Sequence, residues 1–418
     1  MSGKRIKEGI KYWSQLLLLP IYGLSFLMQR SQKIWLFGSA FGKRFAENPK
    51  YLYLYTVQNQ SEYTRAIWIT HKPEIVELLQ KEGYEVYYHH SLKGIWYCLR
   101  AGVYVFDNYS KDISFWLSGR AIKVNLWHGS GNKKTNHDNL FDKVRHPKNI
   151  WERFKTFPRR LSDEKPSHYT LATSDAMADI YVSAFQTTRA HILVNGQPRN
   201  DTLVTNSEYS IKDIYTNQEE LLRNQIAQYH KDGYTILAYM PTFRASERQF
   251  FDVMDLAVFN DYLEQHKYIL ILKPHSKSSI RTEAESIHYS NIISAHSDID
   301  IYTFLREIDM LIADYSSVYT DYMLLERPVV AFHFDYAAYC SDTRDSYIPF
   351  DEYMPEQKAY TMQELMELIP QTLEHDSCFE QRMVSRSRMF SDVLGSYSKK
   401  MYNEIDKLHR KQFPGGTK

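Results

Sequence analysis

The run Leu311–Arg327 reads L-I-A-D-Y-S-S-V-Y-T-D-Y-M-L-L-E-R. Its apolar opening, Met310 to Ala313, stops at Asp314 and two serines, and apolar residues return at Val318, Tyr322 and Leu325. A short unbroken apolar run followed by residues three and four apart predicts a buried strand, a tight turn and an amphipathic helix. Pro328 to Phe332 predicts the next strand and closes a βαβ unit. Ser316 and Ser317 fall where a helix begins, and the unsatisfied N–H groups there favour an anion. The same serines suit ordinary N-caps, so the segment alone leaves both readings open.

Outward from this unit the chain keeps alternating. Strand-like runs precede it at Lys33–Gly38, Tyr51–Val57, Ala66–Thr70, Glu85–Tyr88, Gly102–Phe106, Ala121–Trp127, Tyr169–Thr173 and His191–Val194. A second series starts at Tyr234–Tyr239 and continues through Tyr268–Lys273 and Ile292–Ser294. Helical patterns lie between them, as at Pro73–Glu82 and Asp175–Phe185, and Lys133–Lys165 is a polar, basic stretch. Strands alternating with helices imply parallel sheets covered on both faces. The expectation is an α/β protein of two doubly wound, Rossmann-like domains facing across a cleft, residues 33–205 and 206–418, preceded by a segment 1–32. The polar stretch Asn206–His230 is the expected join.

Composition narrows the function. With 51 Lys and Arg against 50 Asp and Glu, the near-neutral chain gives no global case for binding nucleic acid. The three cysteines, Cys98, Cys340 and Cys378, form no C-x-x-C pair and no disulfide framework, which fits a reducing compartment. At the N-terminus, Lys4, Arg5, Lys7 and Lys11 precede Tyr12-Trp13 and an apolar run from Leu16 to Met28, flanked by Arg30 and Lys33. That run is shorter than the roughly 20 residues a spanning helix needs, and Pro20 and Gly23 interrupt it. No small-residue cleavage site follows, so a signal peptide is not expected. Basic flanks beside aromatics suit an interfacial segment on an anionic, cytoplasmic membrane face. A first helix packed into the core is the competing reading.

Chemistry-bearing residues gather where strands end, the place where doubly wound sheets bind ligands. Leu126-Trp127-His128-Gly129-Ser130-Gly131 runs on to Lys133-Lys134, and an imidazole at such a position suits a general base. Arg199 lies in N-G-Q-P-R-N-D, Thr242 and Arg244 in M-P-T-F-R, and Lys273 with His275 in L-K-P-H-S. With Ser316 and Ser317 they predict a cationic, donor-rich cleft suited to phosphoryl transfer or nucleotide-sugar chemistry. No G-x-x-x-x-G-K-[ST] run occurs, and no G-x-G-x-x-G follows the first strand, so neither a P-loop nor a nicotinamide or flavin fingerprint is present. His137 and Asp138 near His128 make no metal-ligand spacing, and the sequence offers no residue cluster for a catalytic metal.

These motifs, taken in order, resemble the CDP-glycerol glycerophosphotransferase family of teichoic acid and capsular polymer enzymes. The resemblance rests on Trp35-Leu36-Phe37-Gly38-Ser39 with Phe45–Leu52, on Leu126–Gly129 with Lys133, Lys134 and Asp138, and on Asn195–Asp201. Met240–Arg244, Leu272–His275 and Ala313–Ser317 complete it, over roughly residues 33–370. Two departures stand out. Ser130-Gly131 replaces the Thr-Pro usual after W-H-G, and Lys-Pro-His-Ser surrounds His275 where relatives often show Lys-x-His-Pro.

The resemblance implies a glycosyltransferase-B architecture and transfer of glycerol phosphate from CDP-glycerol to an acceptor hydroxyl, releasing CMP. It implies His128 as base, Asp138 as a catalytic residue that orients or charge-balances the His128 loop, and His275 on the leaving phosphate. Arg244, Lys273 and the Ser316–Ser317 turn would hold the pyrophosphate, with Arg199 and Thr242 as further phosphate contacts. Gly129, Lys133 and Lys134 would form the acceptor loop. The implied setting is the cytoplasmic face of a bacterial membrane, with a lipid-linked or polymeric acceptor and peripheral attachment. CDP-ribitol or a nucleotide sugar as donor, and a non-catalytic membrane scaffold, are the other readings; any need for a divalent metal is open.

Overall fold

In the computed structural model the described residues are 9–10, 12–59, 64–204, 211–242, 249–274, 286, 288–337, 339 and 345–412. Seven strands form a parallel sheet: β1 (Ser31–Phe37), β2 (Arg65–Thr70), β3 (Val86–Tyr88), β4 (Ala101–Phe106), β5 (Ile122–Asn125), β6 (Tyr169–Ala172) and β7 (Ile192–Val194), in the order β3-β2-β1-β4-β5-β6-β7. A second parallel sheet holds β8 (Thr235–Tyr239), β9 (Tyr268–Leu272), β10 (Ile292–Ser294), β11 (Met310–Ala313), β12 (Val329–Phe332) and β13 (Lys358–Ala359), ordered β10-β9-β8-β11-β12-β13. The chain thus forms two parallel-sheet α/β domains. The strand order reverses between β1 and β4 in one sheet and between β8 and β11 in the other, which opens a crevice at the strand carboxyl ends.

The strand sequences explain this arrangement. β4 and β11 are buried at every position, as strands covered on both faces must be. Tyr51–Val57, which alternates like a strand, instead lies in the helix Glu47–Gln58. Asn48 to Thr56 are all buried there, so no polar stripe reveals the helical period. The basic stretch holds a second unexpected helix, Ile150–Asp163, capped by the Asn149 side chain on the N–H of Glu152.

Buried polar contacts lock the two domains together. Lys50 and the Tyr51 hydroxyl meet Asp300 at 3.4 and 2.9 Å, and Lys50 also pairs with Asp213 at 2.9 Å. The last helix, Tyr397–Gln412, falls in the span 206–418 by sequence but packs against the first sheet. Met401 and Ile405 join the core around Trp35 and Trp68, and the backbone N–H groups of Tyr397 and Ser398 donate to Asp201 at 2.7 and 2.8 Å. Gly196 permits this docking, because a Cβ there would meet the Tyr397 ring at 2.2 Å.

The N-terminal segment forms a short turn of 3₁₀ helix at Gln15–Leu18 and a helix at Leu19–Ser25. Tyr22 stacks on Phe115 with ring centres 4.6 Å apart, and Trp13 lies 4.8 Å from Phe154 in the Ile150–Asp163 helix. Both elements nonetheless leave large apolar side chains in the open. Leu17, Leu24 and Leu27 are 78, 62 and 79 % exposed, and Trp151 and Phe154 are 60 and 55 % exposed. No helix among the described residues is long and apolar enough to cross a membrane.

Candidate active site

Between the two sheets lies a cleft of about 490 Å³. Its walls include His128, Gly129, Gly131 and Lys133 from the loop after β5, and Thr242, Ser316 and Ser317 from the strand ends of the second sheet. Six of the residues singled out from sequence therefore line one space.

His128 is exposed to this cleft, against the Trp127 ring at 4.0 Å. Its Nδ1 lies 3.0 Å from the Asp107 carbonyl oxygen. A carbonyl only accepts, so the bond places the proton of a neutral ring on Nδ1 and leaves Nε2 with its lone pair. The Asp107 carboxylate is fixed in turn by the Ser39 hydroxyl at 2.8 Å and the Ala40 N–H at 3.0 Å. Asp112 braces the same turn, accepting from the N–H groups of Phe41 and Asn108 at 2.9 and 2.8 Å. Burial, then the neighbouring Asp107, raises its carboxyl well above the usual range.

The loop after His128 is wedged into the seam between the domains. Ser130 is buried; its hydroxyl pairs with Thr173 Oγ1 at 2.7 Å, and its carbonyl accepts from Thr320 Oγ1 at 3.2 Å. A Cβ on Gly131 would lie 3.1 Å from Ser317 Cβ, and one on Gly129 would lie 3.4 Å from Ser317 Oγ. The Ser-Gly departure thus sits where the two halves of the cleft touch. Its backbone is fenced by these contacts, despite the freedom that losing proline grants. Farther along, Asn132 exchanges two 2.8 Å hydrogen bonds with Ile348, and the Lys134 N–H donates to the Asp345 carbonyl at 2.8 Å. The Lys133 ammonium stands 5.0 Å over the Tyr339 ring, and Lys134 pairs with the exposed Asp345 at 3.3 Å.

Across the cleft, the fully buried Asp314 carboxylate organises the turn. It accepts from the Thr242 N–H at 2.7 Å, the Thr242 hydroxyl at 2.8 Å and the Ser316 N–H at 3.0 Å. Ser317 stands at the cap position in helical geometry with no side-chain cap bond, and the helix behind it, Val318–Tyr322, is short. The serines are therefore not ordinary caps. A helix this short contributes little dipole, so hydroxyls and N–H groups are what the turn offers an anion.

Other expected residues lie elsewhere. Arg199 is buried in an ion network: it pairs with Asp321 at 2.7 Å and with Glu47, and donates to the His128 carbonyl at 3.0 Å. Burial opposes its charge, but Asp321, Tyr302 and Glu47 outweigh that and raise its pKa. Its guanidinium ties the His128 loop to the helix after Ser317. Asp138 is not beside the imidazole. It accepts from Ser183 Oγ at 2.9 Å and the Tyr347 hydroxyl at 2.8 Å, anchoring the far end of the loop. Lys273 turns away from the cleft wall and donates to the Ser297 carbonyl at 2.9 Å. Burial, then Arg44, pushes its amine down to about 8. Arg244 and His275 lie outside the described residues.

Sequence reasoning missed Asp107, Asp314 as an organiser, and two arginines on the cleft wall, Arg145 and Arg159. The basic composition of residues 133–165 was the available signal for those arginines. Among the described residues no group of three or more His, Cys, Asp or Glu side chains is arranged to hold a metal ion.

Two parallel-sheet domains, with a histidine loop of one pressed against a serine turn of the other, are the frame of a two-domain transferase. The chain belongs to the CDP-glycerol:poly(glycerophosphate) glycerophosphotransferase family, whose model matches residues 21–407. It is 29 % identical over 414 residues to the teichoic acid poly(glycerol phosphate) polymerase of Bacillus spizizenii, covering 92 % of this chain and 98 % of that one. Over 333 residues it is 26 % identical to the teichoic acid glycerol-phosphate transferase of Staphylococcus aureus, covering 76 % of this chain and 78 % of the relative. The fold superposes on the wall teichoic acid polymerase TagF soaked with CDPG at a TM-score of 0.71, 20 % identity and 99 % coverage of both chains. These findings agree with the family expected from the motifs.

Proposed function

We propose that this chain transfers glycerol phosphate from CDP-glycerol to a hydroxyl of a lipid-linked or polymeric teichoic acid or capsular acceptor. The observation that carries the mechanism is the His128 ring, open to the cleft with Nδ1 held by the Asp107 carbonyl. Nε2 takes the proton of the attacking hydroxyl. The new P–O bond forms at the phosphorus bearing glycerol, the bridging P–O bond breaks, and CMP leaves with that oxygen. The Ser316–Ser317 turn and the Thr242 region receive the donor pyrophosphate, and Lys133, Arg145 and Arg159 supply positive charge along the wall. Arg244, Lys273 and His275 are kept as donor-side candidates, His275 on the leaving phosphate, and Asp138, Lys134 and Gly129 as parts that shape the acceptor loop.

In this reading the architecture is of glycosyltransferase-B type, the first sheet serving the acceptor and the second the CDP-alditol. The enzyme sits peripherally on the cytoplasmic membrane face, at the site of cell-wall polymer assembly. The exposed apolar side chains of the N-terminal segment and of Ile150–Asp163 support that seat, with Arg153 and Lys155 beside them suiting anionic lipid. Cations of the cleft, rather than a bound metal, meet the pyrophosphate charge. Activity retained in EDTA is expected; complete loss restored by magnesium would overturn that point. Incubation with CDP-glycerol and acceptor, following CMP, tests the whole reading. CDP-ribitol as donor is the second reading, since relatives include a teichoic acid ribitol-phosphate primase of Bacillus spizizenii, 27 % identical over 239 residues.

A further inference from the structure

A second, smaller cavity of about 200 Å³ lies away from the cleft, between the N-terminal segment and the end of the Ile150–Asp163 helix. Its size is below the roughly 300–1,000 Å³ of pockets that take drug-sized ligands, so it suits a small head rather than a nucleotide. Tyr22, Phe26 and Phe115 form its apolar side. Lys123, Lys165 and His168 form its polar side, with serine hydroxyls beside them, and no carboxylate among the described residues lines it.

Lys123 is the unusual member. It lies on β5, a strand inside a parallel sheet, where covered faces ordinarily exclude charge. Neither Lys123 nor Lys165 pairs with a carboxylate among the described residues. Lys165 instead donates to the Tyr22 hydroxyl at 3.3 Å, and nearby Arg30 donates to the Cys98 and Leu117 carbonyls at 2.7 and 2.8 Å. His168 Nδ1 accepts from the Lys123 backbone N–H at 2.9 Å, so the neutral ring carries its proton on Nε2 and adds a donor. Burial, then Arg30 and Lys165, pushes the Lys123 amine down to about 8. Half-buried Lys123, with the exposed Lys165 beside it, carries positive charge that no carboxylate among the described residues meets, among hydroxyls that can turn their protons outward, and an anion completes such a site.

We propose that this cavity binds the phosphate ester head of an anionic phospholipid, with Lys123 and Lys165 as its ligands. The lipid source follows from position: the cavity opens between the two elements that leave Leu24, Leu27, Trp151 and Phe154 exposed. The inference rests on the membrane seat above, and the test separates the two. In flotation assays wild-type protein binds phosphatidylcholine vesicles, and adding phosphatidic acid strengthens binding several-fold. Lys123→Met and Lys165→Met lose that increment and keep the binding to phosphatidylcholine. Variants that retain the full increment overturn the pocket. Loss of all vesicle binding by wild type overturns the seat alone, and the pocket is then read by reductive methylation of Lys123 in the unaltered protein. Protection by dihexanoyl phosphatidic acid supports the site; protection by sn-glycerol 3-phosphate as well shows that free phosphate esters also fill it. No protection by either overturns it.

Discussion

The His128 loop and the Asp314–Ser317 turn face each other across one cleft, and they are built in opposite ways. The first presents a titratable ring to solvent and holds it through one backbone carbonyl, that of Asp107. The second hides its charge: the buried Asp314 carboxylate spends three hydrogen bonds fixing Thr242 and Ser316. Proton transfer needs an accessible lone pair near working pH, whereas charge stabilisation needs donors that do not reorganise. Arg199 bridges the two, so closure of the domains and placement of the base depend on one another.

This contrast can be broken at either side. The largest expected effect is on chemistry at the exposed side. His128→Ala should slow acceptor-dependent CMP release by about 10²–10⁴-fold, the usual cost of a lost general base, with little change in melting temperature. A matching fall in stability would make the residue structural. Next comes the bridge. Arg199→Met leaves the buried Asp321 without its cation, and Glu47 with Arg44 alone, and should cost about 3–5 kcal/mol in denaturant unfolding, as buried pairs do when one partner goes. Unchanged stability would refute the coupling of the two halves.

The hidden side should respond through binding and fold together. Asp314→Ala orphans donors on the partly buried Thr242 and Ser316, at up to about 1–3 kcal/mol for each group kept from water, and should raise KM for the donor. A loss of kcat at unchanged KM and stability would contradict it. Smaller still is Asp138→Asn, which keeps one oxygen to accept from the Ser183 and Tyr347 hydroxyls and should lower activity by less than about tenfold. A loss matching that of His128→Ala would restore Asp138 to the chemistry.

Acid sharpens the comparison, because other histidines are buried where His128 is not. Burial pushes His333 and His409 down to about 4 from an unfolded value of 6.5. Between those values the unfolded chain holds the extra protons, so stability falls as pH drops from about 6.5 to 4 and the loss saturates below. Calorimetry across that window should show a drop on the order of several kcal/mol, lessened by His409→Phe. A flat profile would place both rings in contact with solvent.

Much of the fold was legible because parallel strands announce themselves as short apolar runs, and the runs at β2, β4, β8 and β11 were found nearly residue for residue. Glu47–Gln58 was misread because a helix buried on all faces has no polar stripe, and its alternating tyrosines and leucines imitate a strand. Ile150–Asp163 was missed although its signal was present, with apolar residues at 150, 154, 157 and 161 behind an Asn cap. In the site, residue types at strand ends identified the cleft, and six of the named positions line it. Which of them point inward was not legible. That Arg199 faces Asp321 and Glu47, and that Asp107 offers a carbonyl to His128, depend on partners distant in the chain. The last helix crossing back to the first sheet is of the same kind, since its docking on Asp201, on Gly196 and in the core around Trp35 joins residues far apart in the chain.

The most direct measurement is nucleotide release by the full chain given CDP-glycerol, CDP-ribitol and UDP-sugars in parallel, with and without a lipid-linked acceptor. The account predicts CMP from CDP-glycerol, dependent on acceptor and lost in His128→Ala. UDP release from a sugar donor, with none of CMP from CDP-glycerol, would contradict it.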